Sequence, residues 1–231
     1  MRLYLNIPIN QLLSKEKCIC SNSPQLTLRH ALNCSKLIAY RSSLHDAVRD
    51  TVFNMAQTAR ISCIKEPLLK ETLSLNNFGS DDRGDVYCDV MNVVDVVTVD
   101  VCKKNALKNA QSEVSPLDDS ELYKRKKYAN PLKELKHVRH VDYQICPFAI
   151  SLYGRLGKTA MNFIDDFENL VKRRMNKRFD RRLWLNRIVF TIFKSIPKMI
   201  SKALMSVSAH YEEIAVVRFD SVEACFEDID F

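Results

Sequence analysis

The chain has 231 residues, 46% of them hydrophobic and 27% charged, a balance that excludes a largely disordered polypeptide. Its 35 Lys and Arg against 28 Asp and Glu give a net charge of +7, which favours a polyanion or an anionic surface as partner. With only 4 glycines there is little from which to build a Gly-rich nucleotide cradle, and the length predicts one or two domains.

In chain order, the start from Met1 to Ile9 is too short and interrupted for a secretory leader. Lys36 to Arg60 places Leu44, Ala47, Val48, Val52, Met55 and Ala59 at three- and four-residue steps, which predicts an amphipathic helix. Ser62 to Glu66 reads as a short strand stopped by Pro67, and Leu68 to Gly84 as a polar loop. Asp85 to Met91 and Val93 to Cys102, both rich in Val, predict two adjacent strands with Asn92 at the turn. Leu117 to Leu135 predicts a helix punctuated by Pro116 and Pro131. Gln144 to Tyr153 predicts a buried strand, and Gly157 to Met175 and Arg181 to Leu204 predict two more helices. The apolar stretch of the last helix is broken by Lys194 and Pro197, short of the ~18–20 apolar residues that span a bilayer. The expectation is a soluble, intracellular protein with no membrane partner and no small-molecule cofactor, nuclear if the host is eukaryotic.

Charge is unevenly spread. Lys172, Arg173, Arg174, Lys177, Arg178, Arg181, Arg182 and Arg187 fall in one helix-rich stretch. Residues 211–231 carry a net charge of −6, so the rest of the chain carries +13. The charge of +7 therefore understates a basic body suited to a nucleic-acid backbone.

Three groups of residues could carry chemistry. Cys18, Cys20, His30 and Cys34 have a spacing that can close a tetrahedral zinc site, since His30 and Cys34 share a face if they lie on a helix. Free thiols are the alternative. Disulfides are not expected without a leader, and Cys63, Cys88, Cys102, Cys146 and Cys225 read as small buried hydrophobes. Asp85 and Asp95 lie in adjacent strands, where paired carboxylates can hold a divalent cation. A water-facing Asp at a strand end is the alternative. Side-chain alternation puts Asp95 with Val97, Val99 and Val101, and turns Asp100 to the other face. Lys124 and Tyr128, four apart, share one helix face and could approach a phosphate, with a solvated basic face as the alternative. Gly154 and Gly157 follow a strand and precede a helix. They have two residues between them where a phosphate loop needs four, so that reading is rejected. His137, His140 and His210 have no partner spacing.

Taken as an ordered series, these residues resemble one family. Cys-x-Cys…His-x-x-x-Cys is followed by Leu44-His45-Asp46, Arg83-Gly84-Asp85, Val94-Asp95-Val-Val-Thr, Lys124-x-x-x-Tyr128 and Cys146-Pro-Phe through Gly157. The series resembles the C-terminal restriction-enzyme-like endonuclease region of site-specific non-LTR retrotransposon reverse transcriptases, across roughly residues 18–205. The resemblance implies a zinc knuckle followed by an α/β nuclease core of the PD-(D/E)XK type. It implies Cys18, Cys20, His30 and Cys34 as ligands of a structural zinc, and Asp85 and Asp95 as catalytic carboxylates for Mg²⁺ or Mn²⁺. It implies Lys124 as the catalytic lysine, with His45, Asp46 and Tyr128 in support. The partner implied is DNA, nicked to prime reverse transcription, with RNA as the alternative polyanion; Lys172 to Arg182 would grip the backbone. Gly84 stands where the family usually has Pro, the gap between the two Asp is short, and Val97 takes a position usually held by Lys. No polymerase motif precedes the region. The domain expectation is 1–17 as the remnant of a preceding region, 18–35 as the knuckle, 36–210 as the nuclease and 211–231 as an acidic tail. A binding module of the same fold that no longer cuts, and a relic fragment, are the alternatives.

Overall fold

The structure is a computed structural model that describes His30, Cys34 and residues 38–73, 82–88, 92–101, 115–139, 144–175 and 179–205. The chain falls into two compact units, His45–Phe193 and the segments flanking it. The first contains every strand described below.

Helix α1 spans Ile38–Thr58 and buries Val48, Val52 and Met55 of the stripe its spacing predicts, together with Ala56, while Ala47 is half-buried. It ends with Arg60 at φ 54°, where the Ile61 amide donates to the Ala56 carbonyl at 3.0 Å and the Arg60 amide to Gln57 at 2.8 Å. This is a left-handed helix cap built on arginine rather than glycine. Strand β1, Cys63–Lys65, stops at Glu66, which also has positive φ, and Pro67.

The segment expected to be a polar loop contains a short helix, α2, Leu69–Thr72. Leu69 on it and Leu73 just after it are fully buried against Val93 and Tyr128, and this burial anchors a stretch that reads as a loop. Strand β2 is Val86–Cys88 and strand β3 is Asn92–Val99. Asn92 therefore opens β3 instead of forming the turn, because its pairing with Cys88 extends the ladder to that residue. Asp85 and Asp100 lie just outside the strand ends.

Helix α3, Pro116–Arg139, connects β3 to strand β4, Ile145–Ser151. Pro116 stands in its first turn, where a missing N–H costs nothing, and the Ser115 hydroxyl accepts from the Leu117 amide at 3.2 Å. Asp118 and Asp119 add negative charge at the positive end of the helix. The helix continues past Pro131 to Arg139. Helix α4, Lys158–Met175, follows a turn in which Gly154 has φ 80°. Helix α5, Arg181–Met205, begins at Asp180, whose carboxylate accepts from the Leu183 amide at 2.9 Å, and runs through Pro197.

The sheet has the order β1-β2-β3-β4. The first three strands form an antiparallel meander, and β4 pairs parallel to β3 from Val93↔Ile145 to Val99↔Ser151. A parallel pair requires a long crossover, and α3 supplies it. The face bearing Val93 and Asp95 packs on Tyr128 and Leu132 of α3 and on α2. The opposite face carries Phe148, stacked edge to face on Phe163 of α4 with centroids 5.9 Å apart. The result is a mixed α/β unit with helices on both sides of a four-stranded mixed sheet. Among the described residues no helix is long and apolar enough to cross a membrane.

Candidate functional site: a buried carboxylate pair

The site forms where β1, β2 and β3 meet the starts of α1 and α3, wholly within His45–Phe193. Asp85 is pinned by its backbone. Its amide donates to the Val94 carbonyl at 3.1 Å, and its carbonyl accepts from the Glu66 amide at 2.9 Å. Its side chain turns onto β3, where Oδ2 accepts from the Val96 amide at 2.5 Å. The close packing beneath it depends on Gly84, since a Cβ there would stand 2.5 Å from Val93 Cγ1.

Asp95 lies on β3 and is 4% exposed. Lys124 reaches over from α3, with Nζ 2.8 Å from Asp95 Oδ1. The other oxygen, Oδ2, is buried and has no hydrogen-bond partner. An orphaned carboxylate oxygen in the interior is costly, because the desolvation is not offset. Tyr128, one helical turn beyond Lys124, is buried beside Asp95, and its hydroxyl is 3.3 Å from Lys127 Nζ. Asp85, Asp95, Lys124 and Tyr128 are thus brought together.

His45 joins them from α1. Its Nε2 lies 3.2 Å from Asp85 Oδ2 and 3.1 Å from the Val96 carbonyl, and its Nδ1 lies 3.5 Å from Asp46 Oδ1. The Val96 backbone therefore serves both residues, its N–H donating to Asp85 and its C=O facing His45. Asp46 is half exposed and accepts from Arg49 Nη1 at 3.0 Å.

These contacts separate the two acids. Burial disfavours the charge on Asp85, but the hydrogen bond and charge of His45 outweigh it and hold the carboxyl below the usual range. The same contact raises His45. Burial raises the Asp95 carboxyl, Lys124 opposes this, and the charge on Asp85 adds to it. Burial and the charge on Asp95 both push the Tyr128 phenol up. Two carboxylates with opposed shifts in one enclosure are a feature of functional sites.

Two groups were not legible in the sequence. Arg49, almost buried, contacts Asp46, Asp50 and Glu66 at once, tying α1 to the end of β1. Its sequence signal is its place in the Leu44-His45-Asp46-Ala-Val-Arg-Asp stretch, which gives it no role. Glu121, 5% exposed on α3, accepts from the Thr159 amide at 2.9 Å and from its hydroxyl at 2.6 Å, capping α4. Asp100 is buried but lies five residues beyond Asp95, about 17 Å along an extended strand, and does not join the pair.

Of the knuckle residues, Cys18 and Cys20 lie outside the described residues. His30 is helical, whereas Cys34 is buried and outside a helix, so a shared helical face does not describe them. Among the described residues no group of three or more His, Cys, Asp and Glu is arranged to hold a metal. Two carboxylates are nevertheless enough for Mg²⁺, which keeps several waters and takes substrate phosphates as ligands. The hard oxygen donors of Asp85 and Asp95, with Oδ2 of Asp95 unpartnered, fit that cation. Of the basic cluster, Lys172, Arg173 and Arg182 are exposed. Arg181 is engaged, with Nε 2.6 Å from Asp165 Oδ1, and Arg187 lies over the Trp184 ring at 4.8 Å. Lys177 and Arg178 lie outside the described residues, as does the side chain of Arg174. Burial makes Cys88 inaccessible and pushes the Cys146 thiol up to about 12, in keeping with a structural role for both.

No protein-family model and no curated protein matches this chain.

Proposed function

We propose that the chain is a metal-dependent DNA endonuclease with a PD-(D/E)XK-type core, of non-LTR retrotransposon origin, carrying a zinc knuckle before the nuclease. The observation that carries the reading is the convergence of Asp85, Asp95 and Lys124 around a buried, unpartnered carboxylate oxygen. A Mg²⁺ or Mn²⁺ ion held by the two carboxylates would polarise the phosphodiester and make water a stronger nucleophile. The protein's part is positioning. His45 and the Val96 amide keep Asp85 ionised and aimed at β3. Lys124 balances the charge of Asp95 and brings an ammonium to the place where a phosphate oxygen would gain charge. Exposed Lys172, Arg173 and Arg182 would neutralise the DNA backbone, with a strong dependence on salt.

The test is nicking of supercoiled plasmid by the purified chain with Mg²⁺ or Mn²⁺, beside Asp95→Ala. Nicking by the wild type that disappears in the variant supports the enzyme. Retention of DNA without nicking by either protein would replace this reading with a binding module that no longer cuts. For the knuckle, zinc content is compared between wild type and Cys34→Ser, and equal zinc in both removes Cys34 from the ligand set.

A further inference from the structure

Helix α3 carries, next to Lys124, a surface that the cleavage reading leaves unused. Leu122 and Tyr123 are 48% and 68% exposed, and Tyr123 is the most exposed large hydrophobic residue among those described. From Leu122 to Asn130 the helix holds Lys124, Arg125, Lys126 and Lys127 and no acid. Arg125, Lys126 and Lys127 are all exposed. Arg125 is turned away to the Thr159 hydroxyl at 2.7 Å. Lys127 lies on the near side, its Nζ 3.3 Å from the Tyr128 hydroxyl and 3.9 Å from Asp82 Oδ1, a contact between half-exposed side chains that a phosphate can replace.

Helical rotation fixes the order of these groups. At 3.6 residues per turn, Lys127 lies about 40° around the helix from Tyr123, and Lys124 about 60° further on. A strip of aromatic ring, ammonium and ammonium thus leads from solvent to the Asp85–Asp95 pair. An exposed tyrosine flanked by cations offers a stacking face and phosphate contacts together, the combination by which proteins hold unpaired nucleic acid. A paired base has both faces covered by its neighbours, so a strand in duplex cannot use Tyr123 in this way.

We propose that Tyr123 stacks on an unpaired DNA base beside the cleavage position, with Lys126 and Lys127 on the adjoining phosphates. The inference rests on the nuclease reading for its location but on binding for its test. The full chain, in buffer without divalent cations, is titrated against two DNA oligonucleotides, one fully paired and one with a central single-stranded flap. Tyr123→Ala is expected to lose roughly 5- to 150-fold in affinity for flap DNA, the range measured for one base stacked on an aromatic. It should bind the paired duplex as the wild type does, and Tyr123→Phe should match the wild type on both. Equal affinity of wild type and Tyr123→Ala for flap DNA overturns the proposal, as does an equal loss on both DNAs or a loss in Tyr123→Phe. Tighter binding of an RNA flap of the same sequence overturns the choice of DNA. A second readout does not depend on any variant: light-induced crosslinking of a 5-iodouracil placed in the flap should map to Tyr123, and a crosslink confined to another element overturns the contact. A chain that binds the flap through Tyr123 but does not nick plasmid keeps this inference and loses the nuclease.

Discussion

Lys124 Nζ lies 2.8 Å from Asp95 Oδ1, a contact that joins helix α3 to strand β3 across 29 residues of sequence. Both side chains are largely out of water, at 20% and 6% exposure. Removing one partner of such a pair strands the other, which costs far more than the pair is worth. Lys124→Met is therefore expected to lower stability at neutral pH by about 3 kcal/mol. Adding Asp95→Asn should restore most of that loss, because the orphaned charge disappears with it. Urea unfolding of the two single variants and the double variant measures this coupling. Additive losses in the double variant would show that the two charges do not interact.

The His45–Asp85 contact gives stability a pH dependence of known sign. His45 is raised above its ordinary value of 6.5 by Asp85, so its contribution is complete below pH 6.5 and fades as pH rises through the folded-state value. Asp85 is held below 3.8, so its contribution is complete above that pH and fades as acid protonates it. The pair therefore stabilises most between these limits. The stability difference between wild type and His45→Gln is expected to be larger near pH 6 than near pH 9, in thermal melts at constant ionic strength. A difference that grows towards alkaline pH would contradict the ion pair.

Gly84 stands directly before Asp85, where a side chain would meet both Val93 at 2.5 Å and Leu69 at 3.3 Å. Its amide also donates to the Pro67 carbonyl at 3.2 Å. Proline at this position would remove that donor and press its ring on Val93. Gly84→Ala is expected to cost roughly 1–3 kcal/mol from overpacking, and Gly84→Pro more, through the lost hydrogen bond. Denaturant midpoints decide the order. If Gly84→Pro is as stable as the wild type, the packing at Val93 does not constrain this residue.

How much of this was legible in the sequence depends on the range of the forces involved. The β-branched run around Asp95 and the period of α1 and α4 are local signals, and those elements appear where the spacing puts them. Alternation along β3 separates Asp95 from Asp100, and the structure brings Asp95 to Lys124. Helix α2 is not legible because it is four residues long, too short to show a period, and is held by burial of Leu69 and the adjoining Leu73 against Val93 and Tyr128. Helix α3 passes through Pro131, inside the range its spacing predicts, and ends four residues beyond that range; packing on the sheet through Tyr128 and Leu132 overrides the local penalty of the proline. Side-chain networks such as Arg49 with Glu66, or Glu121 with Thr159, connect residues 17 and 38 apart and leave no periodic trace.

Arg49 supplies the last test. Its side chain is 9% exposed and its guanidinium serves Asp46, Asp50 and Glu66, whose side chains are 44–49% exposed. Lys65 adds a second cation, 3.2 Å from Asp50. Replacing Arg49 by Met keeps much of the volume but leaves the three carboxylates with Lys65 beside Asp50 and His45 beside Asp46. Because the acids are half hydrated, each can return to water, so the loss is expected to be about 1–3 kcal/mol rather than that of a fully buried pair. The remaining cost is largely repulsion between like charges, which salt screens over about 3 Å at 1 M. Arg49→Met should therefore lose less stability, relative to the wild type, in 1 M NaCl than in dilute buffer. An equal loss in both would assign the role of Arg49 to packing of its aliphatic stem on α1, not to the charges it gathers.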